Sequence, residues 1–243
     1  MNNQVHVFDN GVKVYENHLL ELQKERYALH NVHESEEENV FLDVLSKVKE
    51  SGIYVNIGAA IGYYPLLAAL KRKDIRIVAY EPLKMHRDYF LDNIKLNGLR
   101  RGDFKIYKEG VYVRNGAVNF SVEHYGSKII EGRSKKNALR LIKERTNNQK
   151  INCLTLVDLC RREKAEIDLV QMDIQGLEAD VLESSRSILI QHKIRSFLIG
   201  THSSELHLRC KQVLLKDGYR VLVDNFDTKF QPDGILLMGL SCS

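Results

Sequence analysis

Beyond residue 52 the apolar positions fall into two alternating patterns. Short, nearly continuous runs occur at "IYVNI", "IRIVAYEP", "FKIYKEGVYV", "IDLVQMDI" and "IRSFLIGTH". Between them lie longer stretches with apolar residues every third or fourth position: "YYPLLAALKRK", "KMHRDYFLDNIKLNG", "LTLVDLCRRE", "LEADVLESSRSILI" and "ELHLRCKQVLLKDG". The first pattern predicts strands buried on both faces and the second predicts helices. Gly98 is placed to close the helix that begins at Lys84. Two runs near the end, "YRVLVDN" and "GILLMGL", predict a closing strand pair, and Asn115-Gly116 predicts a turn that folds "AVNFSVEH" back on the third strand. Strand–helix alternation of this kind predicts an α/β fold, doubly wound around a mostly parallel sheet.

The first 34 residues follow a different pattern. "VHVF" and "VKVY" alternate apolar and polar residues around Asp9-Asn10-Gly11, which predicts a hairpin. A helix follows from Ser35, where Glu38 three residues on suggests a capping box, and its glutamates suit the positive end of the helix. The expected division is a hairpin extension over 1–34 and a main domain over 35–243. Residues 127–150 interrupt that domain with eight basic and two acidic residues.

Composition narrows the picture only slightly. The chain has 243 residues, 44% hydrophobic and 28% charged, and 36 basic against 32 acidic side chains give a net charge of +4. That excess permits an anionic partner without requiring one. Cys153, Cys160, Cys210 and Cys242 form no CxxC pair and no zinc-like spacing, so reduced thiols are expected. No apolar run approaches membrane-spanning length, and "MNNQVHVFDNG" lacks a signal-peptide plan. The expectation is a soluble cytoplasmic protein of undetermined oligomeric state, although a domain cut from a larger chain would read the same.

Sheets of this kind bind ligands at the carboxyl ends of their strands, near the point where strand order reverses. After the first strand come Asn56, Gly58, Ala59, Ala60 and Gly62. The glycines allow a sharp turn and close helix approach, and the small side chains leave backbone open to a ligand. Their spacing differs from the GxGxxG of dinucleotide sites. Glu81 ends the second strand, where a carboxylate can receive ribose hydroxyls. Together these residues predict a nucleoside-containing cofactor. Tyr63, opening the next helix, could cover it, and Glu109 near the end of the third strand stands at the adenine position of such folds. Asp173 ends the fourth strand, with Glu178 complementing the helix that follows. His202 ends the fifth and suits proton removal near neutral pH. Asp173 and His202 are two potential metal ligands, but the spacing supplies no third, so a divalent metal is not assigned.

The residues resemble those of class I methyltransferases that use S-adenosylmethionine, and within them the FkbM family of O-methyltransferases. That family is similar in reading Asp-x-Gly-Ala-Asn-x-Gly, then Glu-Pro, then Lys-x-Asp-x-Glu-Gly-x-Glu. Here those places read Asn56-Ile57-Gly58-Ala59-Ala60-Ile61-Gly62, Glu81-Pro82 and Gln171-Met172-Asp173-Ile174-Gln175-Gly176-Leu177-Glu178. The stretch with Thr155, Leu156 and Asp158 also resembles a Thr-Leu-Asp segment of the family. The chain departs at Asn56, Ala60, Gln171 and Gln175, and at Gly200, where a Glu before the His is frequent. The resemblance implies a seven-stranded Rossmann-like sheet with an antiparallel C-terminal strand. It implies methyl transfer from S-adenosylmethionine to a hydroxyl, often on a sugar or glycosylated product. The cofactor would be held by Asn56, Gly58, Ala59, Ala60, Gly62, Tyr63, Glu81, Glu109 and Asp173, with His202 as general base and Asp173 assisting.

Three other readings stay open on the sequence. A nicotinamide-dependent oxidoreductase is disfavoured by the glycine spacing and by the lack of a Tyr-x-x-x-Lys set. Nucleic-acid methylation or binding would use the basic 127–150 segment, with Arg100, Arg101, Lys105 and Lys108 extending it. A binding module without catalysis is the third.

Overall fold

The computed structural model of the chain describes residues 4–121, 128–129 and 148–240. A hairpin of β1 (Val5–Val7) and β2 (Lys13–Tyr15) comes first, as the Asn-Gly turn predicts, with Gly11 at φ +91°. Helices α1 (Glu21–Leu29) and α2 (Ser35–Ser46) then lead into the main sheet. Ser35 is the first helical residue rather than the cap, and no side chain caps α2. The capping box therefore does not form: the Glu38 carboxylate receives the Tyr63 hydroxyl instead. Helix α1 was not legible because among its residues only Tyr27 is buried, while Leu22 and Leu29 are exposed.

The central sheet has seven strands. They are β3 (Ile53–Ile57), β4 (Arg76–Tyr80), β5 (Phe104–Tyr107), β10 (Ile167–Met172), β11 (Ile194–Thr201), β12 (Arg220–Asn225) and β13 (Gly234–Gly239). Their order is β12-β13-β11-β10-β3-β4-β5. Pairs from β11 through β5 are parallel, and β13 runs antiparallel to both of its neighbours, as the closing pair predicts. Alternate residues of each strand feed two cores: Tyr54, Leu169 and Leu198 on one side, Val55, Val170 and Phe197 on the other. The first core also contains Phe8, Val12, Val14 and Tyr27, so the N-terminal segment packs directly on the sheet's helical layer. Strand order reverses between β3 and β10, which fixes the ligand crevice at their carboxyl ends.

Two connections differ from the pattern-based expectation. The run "FKIYKEGVYV" divides: β5 stays in the main sheet, and β6 (Gly110–Val111) joins a second sheet with β7 (Gly116–Ser121), β8 (Lys128–Ile129) and β9 (Asn148–Leu154). Strand β7 pairs with β9, not back onto the third strand, and β6 runs parallel to β9. Gly110 permits this contact, since a Cβ there would lie 3.1 Å from Cys153 Sγ. The basic stretch 127–150 lies outside the described residues except at its ends.

Helices α3 (Tyr63–Lys71), α4 (Lys84–Leu96), α5 (Leu156–Glu163) and α8 (Ser204–Lys216) fall where the periodicity places them. The stretch "LEADVLESSRSILI" forms two short helices, α6 (Glu178–Glu183) and α7 (Arg186–Ile190). The Ser184 hydroxyl donates to the Val181 carbonyl and competes with helix continuation at that point. Among the described residues no helix is long and apolar enough to cross a membrane.

Candidate functional site

The turn after β3 is closed by its own backbone. Gly58 and Ala59 donate their amides to the Tyr80 carbonyl at 3.0 and 3.1 Å. Gly58 has φ +86°, and a Cβ there would lie 2.0 Å from the Asp173 carbonyl oxygen, so only glycine fits. Ala60 takes a left-handed φ of +45° and donates its amide to Glu81 Oε2 at 2.8 Å. The other Glu81 oxygen receives the Leu83 amide at 2.9 Å. The Glu81 carboxylate thus pins the turn to the end of β4. Gly62 serves packing, because a Cβ there would meet the Phe90 ring at 2.0 Å.

Above this turn opens a cavity of about 270 Å³. Asn56, Gly58, Ala59, Ala60, Tyr63, Glu81 and Asp173, all expected at the site, line it. Gly62, Glu109 and His202 do not. Glu109 turns away to a 3.0 Å ion pair with Arg162, which stacks on Tyr107, and Gly110 takes the wall beside it. Tyr63 ties the N-terminal segment to the turn: its hydroxyl accepts from Asn10 Nδ2 at 2.7 Å and its ring packs on Phe8.

The opposite wall comes from residues that strand-end reasoning did not reach. Gln23 and Arg26 on α1, His33 and Glu34 before α2, Glu37 within it and Asp233 before β13 all face the cavity. Burial and the nearby Arg26 charge push His33 down to about 3, so its ring is neutral. Burial, then the charges of Asp173 and Asp233, push Glu34 up to about 7. Burial and Glu34 raise Glu37 well above the usual carboxylate range, against a hydrogen bond from Gln171. These carboxyls hold their protons toward neutral pH.

Glu37 connects to the sheet through neutral amides. Gln171 Nε2 donates to Glu37 Oε1 at 2.7 Å, and Gln171 Oε1 receives Asn56 Nδ2 at 3.1 Å and the Tyr54 hydroxyl at 2.6 Å. Asn56 and Gln171 are register partners on β3 and β10. Two of the departures from the FkbM pattern therefore meet: the pattern's Asp and Lys are exchanged here for an Asn and a Gln. Gly200, a third departure, leaves room that Glu37 borders, since a Cβ at 200 would lie 3.8 Å from Glu37 Oε2.

His202 is held between carboxylates. Its Nδ1 lies 2.6 Å from Asp233 Oδ1, and its Nε2 lies 3.0 Å from Asp173 Oδ1 and 3.7 Å from Glu178 Oε1. Burial opposes a charged ring, but the hydrogen bonds to Asp173 and Asp233 outweigh it and push the value up to about 11. Both ring nitrogens of His202, expected as the general base, are thereby engaged by carboxylates. Its neighbour Glu178 opens α6 and accepts the Ile174 amide at 2.7 Å, and burial with the Asp173 charge pushes it up to about 7.

Comparison with known proteins decides the family. Residues 56–221 match the model of the methyltransferase FkbM domain. The chain belongs to the FkbM methyltransferase family. Membership assigns S-adenosylmethionine as methyl donor. The FkbM protein is similar in fold to the methyltransferase FkbM from Methylobacillus flagellatus KT, with 16% identity, a TM-score of 0.55, and coverage of 78% of this chain and 43% of that one. It thus spans less than half the length of that relative. It is also similar to a ribosomal protein L11 methylase from Lactobacillus delbrueckii subsp. bulgaricus, at 9% identity and a TM-score of 0.50, covering 87% and 81%. At these identities the likeness is one of fold. No curated protein matches the FkbM chain.

Proposed function

We propose that this chain transfers the methyl group of S-adenosylmethionine to a hydroxyl of a polyhydroxylated, sugar-like acceptor. The observation that carries the reading is the two-sided cavity. One wall is an open, small-residue turn with a clamped carboxylate, and the other is a set of buried carboxyl groups with high proton affinity.

The turn suits the cofactor. The Ala59 and Ala60 methyls leave backbone accessible in the cavity wall, and Glu81 is positioned at the end of β4 to receive ribose hydroxyls. When bound, S-adenosylmethionine supplies an electrophilic methyl group. A protonated carboxyl can both donate and accept hydrogen bonds, so Glu37, held protonated near neutral pH, matches a hydroxyl better than an ammonium group. Glu34, whose value lies near the working pH, receives the hydroxyl proton as the acceptor is methylated. His202 bridges Asp173 and Asp233 and holds both in place.

A thermal-shift panel with S-adenosylmethionine, S-adenosylhomocysteine and NAD tests the donor, because a ligand at 100 times its Kd stabilises by about 2.7 kcal/mol. Both adenosyl compounds are expected to raise Tm, and a shift with NAD alone overturns the reading. Methyl label appearing in oligosaccharide supports the acceptor class; label appearing in RNA instead overturns it in favour of the nucleic-acid alternative.

A further inference from the structure

Glu178 is fully buried, and its Oε2 has no hydrogen-bond donor. Its Oε1 receives one backbone amide and faces His202 Nε2. A half-satisfied carboxylate buried beside Asp173 is unfavourable unless positive charge reaches it. The ion pair of His202 with Asp173 and Asp233 is complete without Glu178, so that pair does not account for its placement.

The end of β10, the start of α6 and the end of β11 bring Asp173, Glu178 and His202 together, with one ligand atom from each all within 4.8 Å of one another. Donors about 2.1 Å from a common cation stand about 3.0 Å apart at right angles and about 4.2 Å apart when opposed. The separations of 3.0 and 3.7 Å from His202 Nε2 fall in that range. The outer contacts also match. A metal-bound histidine normally gives its second N–H to a carboxylate, as Nδ1 does here to Asp233, and ligating carboxylates are themselves hydrogen-bonded, as Glu178 is by Ile174.

We propose that Asp173, Glu178 and His202 form a binding site for one divalent cation of the Mn²⁺ type. Two carboxylate oxygens and one imidazole nitrogen suit an ion that accepts both donor kinds. The cation takes the place of the proton between His202 and Asp173 and brings positive charge to the buried Glu178 carboxylate. Because Asp173 lines the cavity, the cation reaches the acceptor side, where it would make a hydroxyl more acidic. This last role rests on the methyl-transfer reading above; the existence of the site does not.

The test is a titration of Mn²⁺ alone into metal-free protein, following the electron paramagnetic resonance signal of the free ion. Saturable binding of one Mn²⁺ per chain is expected, weakened at least about tenfold in Glu178→Gln with the far-ultraviolet spectrum unchanged. Asp173→Asn provides the same comparison if Glu178→Gln does not fold. Absence of saturable binding to the native protein, or unchanged affinity in the variants, overturns the site. Calorimetry with S-adenosylhomocysteine on the same sample separates the two readings. A protein that binds this nucleoside but no Mn²⁺ refutes the cation site alone, whereas one that binds Mn²⁺ but not the nucleoside supports the site and refutes methyl transfer.

Discussion

The two walls of the cavity are built in opposite ways. Around the β3 turn the backbone supplies the contacts, and its hydrogen bonds are closed: Gly58 and Ala59 to Tyr80, Ala60 and Leu83 to Glu81. On the other wall, side chains arrive from α1, from α2 and from the loop before β13, and two of their carboxyls sit far from their usual proton affinity. The first wall is held by backbone amides and the second by side chains. On the proposed function, the donor is held by the fold's own turn, whereas the acceptor meets segments outside the strand–helix alternation.

Substitution at Gly58 should break the first wall outright. Gly58→Ala places a methyl group 2.0 Å from a carbonyl oxygen in a left-handed turn, and a loss of more than ~3 kcal/mol with no measurable cofactor binding is expected from urea unfolding and calorimetry. The amide bridge between the walls should be nearly as sensitive. Asn56→Asp buries a charge beside Gln171 and Glu37 and is expected to destabilise by ~3 kcal/mol; adding Gln171→Lys should restore at least half of that. If the double variant is merely the sum of the singles, the two departures are unconnected.

The second wall makes a pH prediction. Glu34 titrates near 7 in the folded chain and near 4.5 when unfolded, so the folded state binds more protons between those values. Stability therefore falls as pH rises through that window, by up to ~3 kcal/mol, and the loss is complete above it. Glu34→Gln should flatten the curve and melt higher than the native protein at pH 8. Smallest is Ala60→Gly, which relieves a left-handed alanine and should add ~1 kcal/mol, read from urea unfolding.

How much was legible follows the same division. The mostly parallel sheet and the turn residues could be read because strand periodicity, glycine spacing and the Glu81 position are local signals. Asp173 and His202 were found as strand ends, although the partners that hold His202 were not. Glu37 looked like a glutamate complementing a helix dipole and Glu34 carried no signal of its own; only the fold of the N-terminal segment against β10 and the β13 loop turns them inward. Asp233 lies in a loop with no periodic signal. Glu178 read as a helix-opening residue, and it is one; its approach to His202 depends on how α6 sits against the end of β11.

The central claim is that one wall holds the donor and the other performs the proton transfer. Glu34→Gln tests it most directly, by kcat for methyl transfer and Kd for S-adenosylhomocysteine measured on one preparation. The predicted result is a fall in kcat of at least about 10²-fold with Kd unchanged. An unchanged kcat, or a Kd that weakens in step with it, would contradict the account.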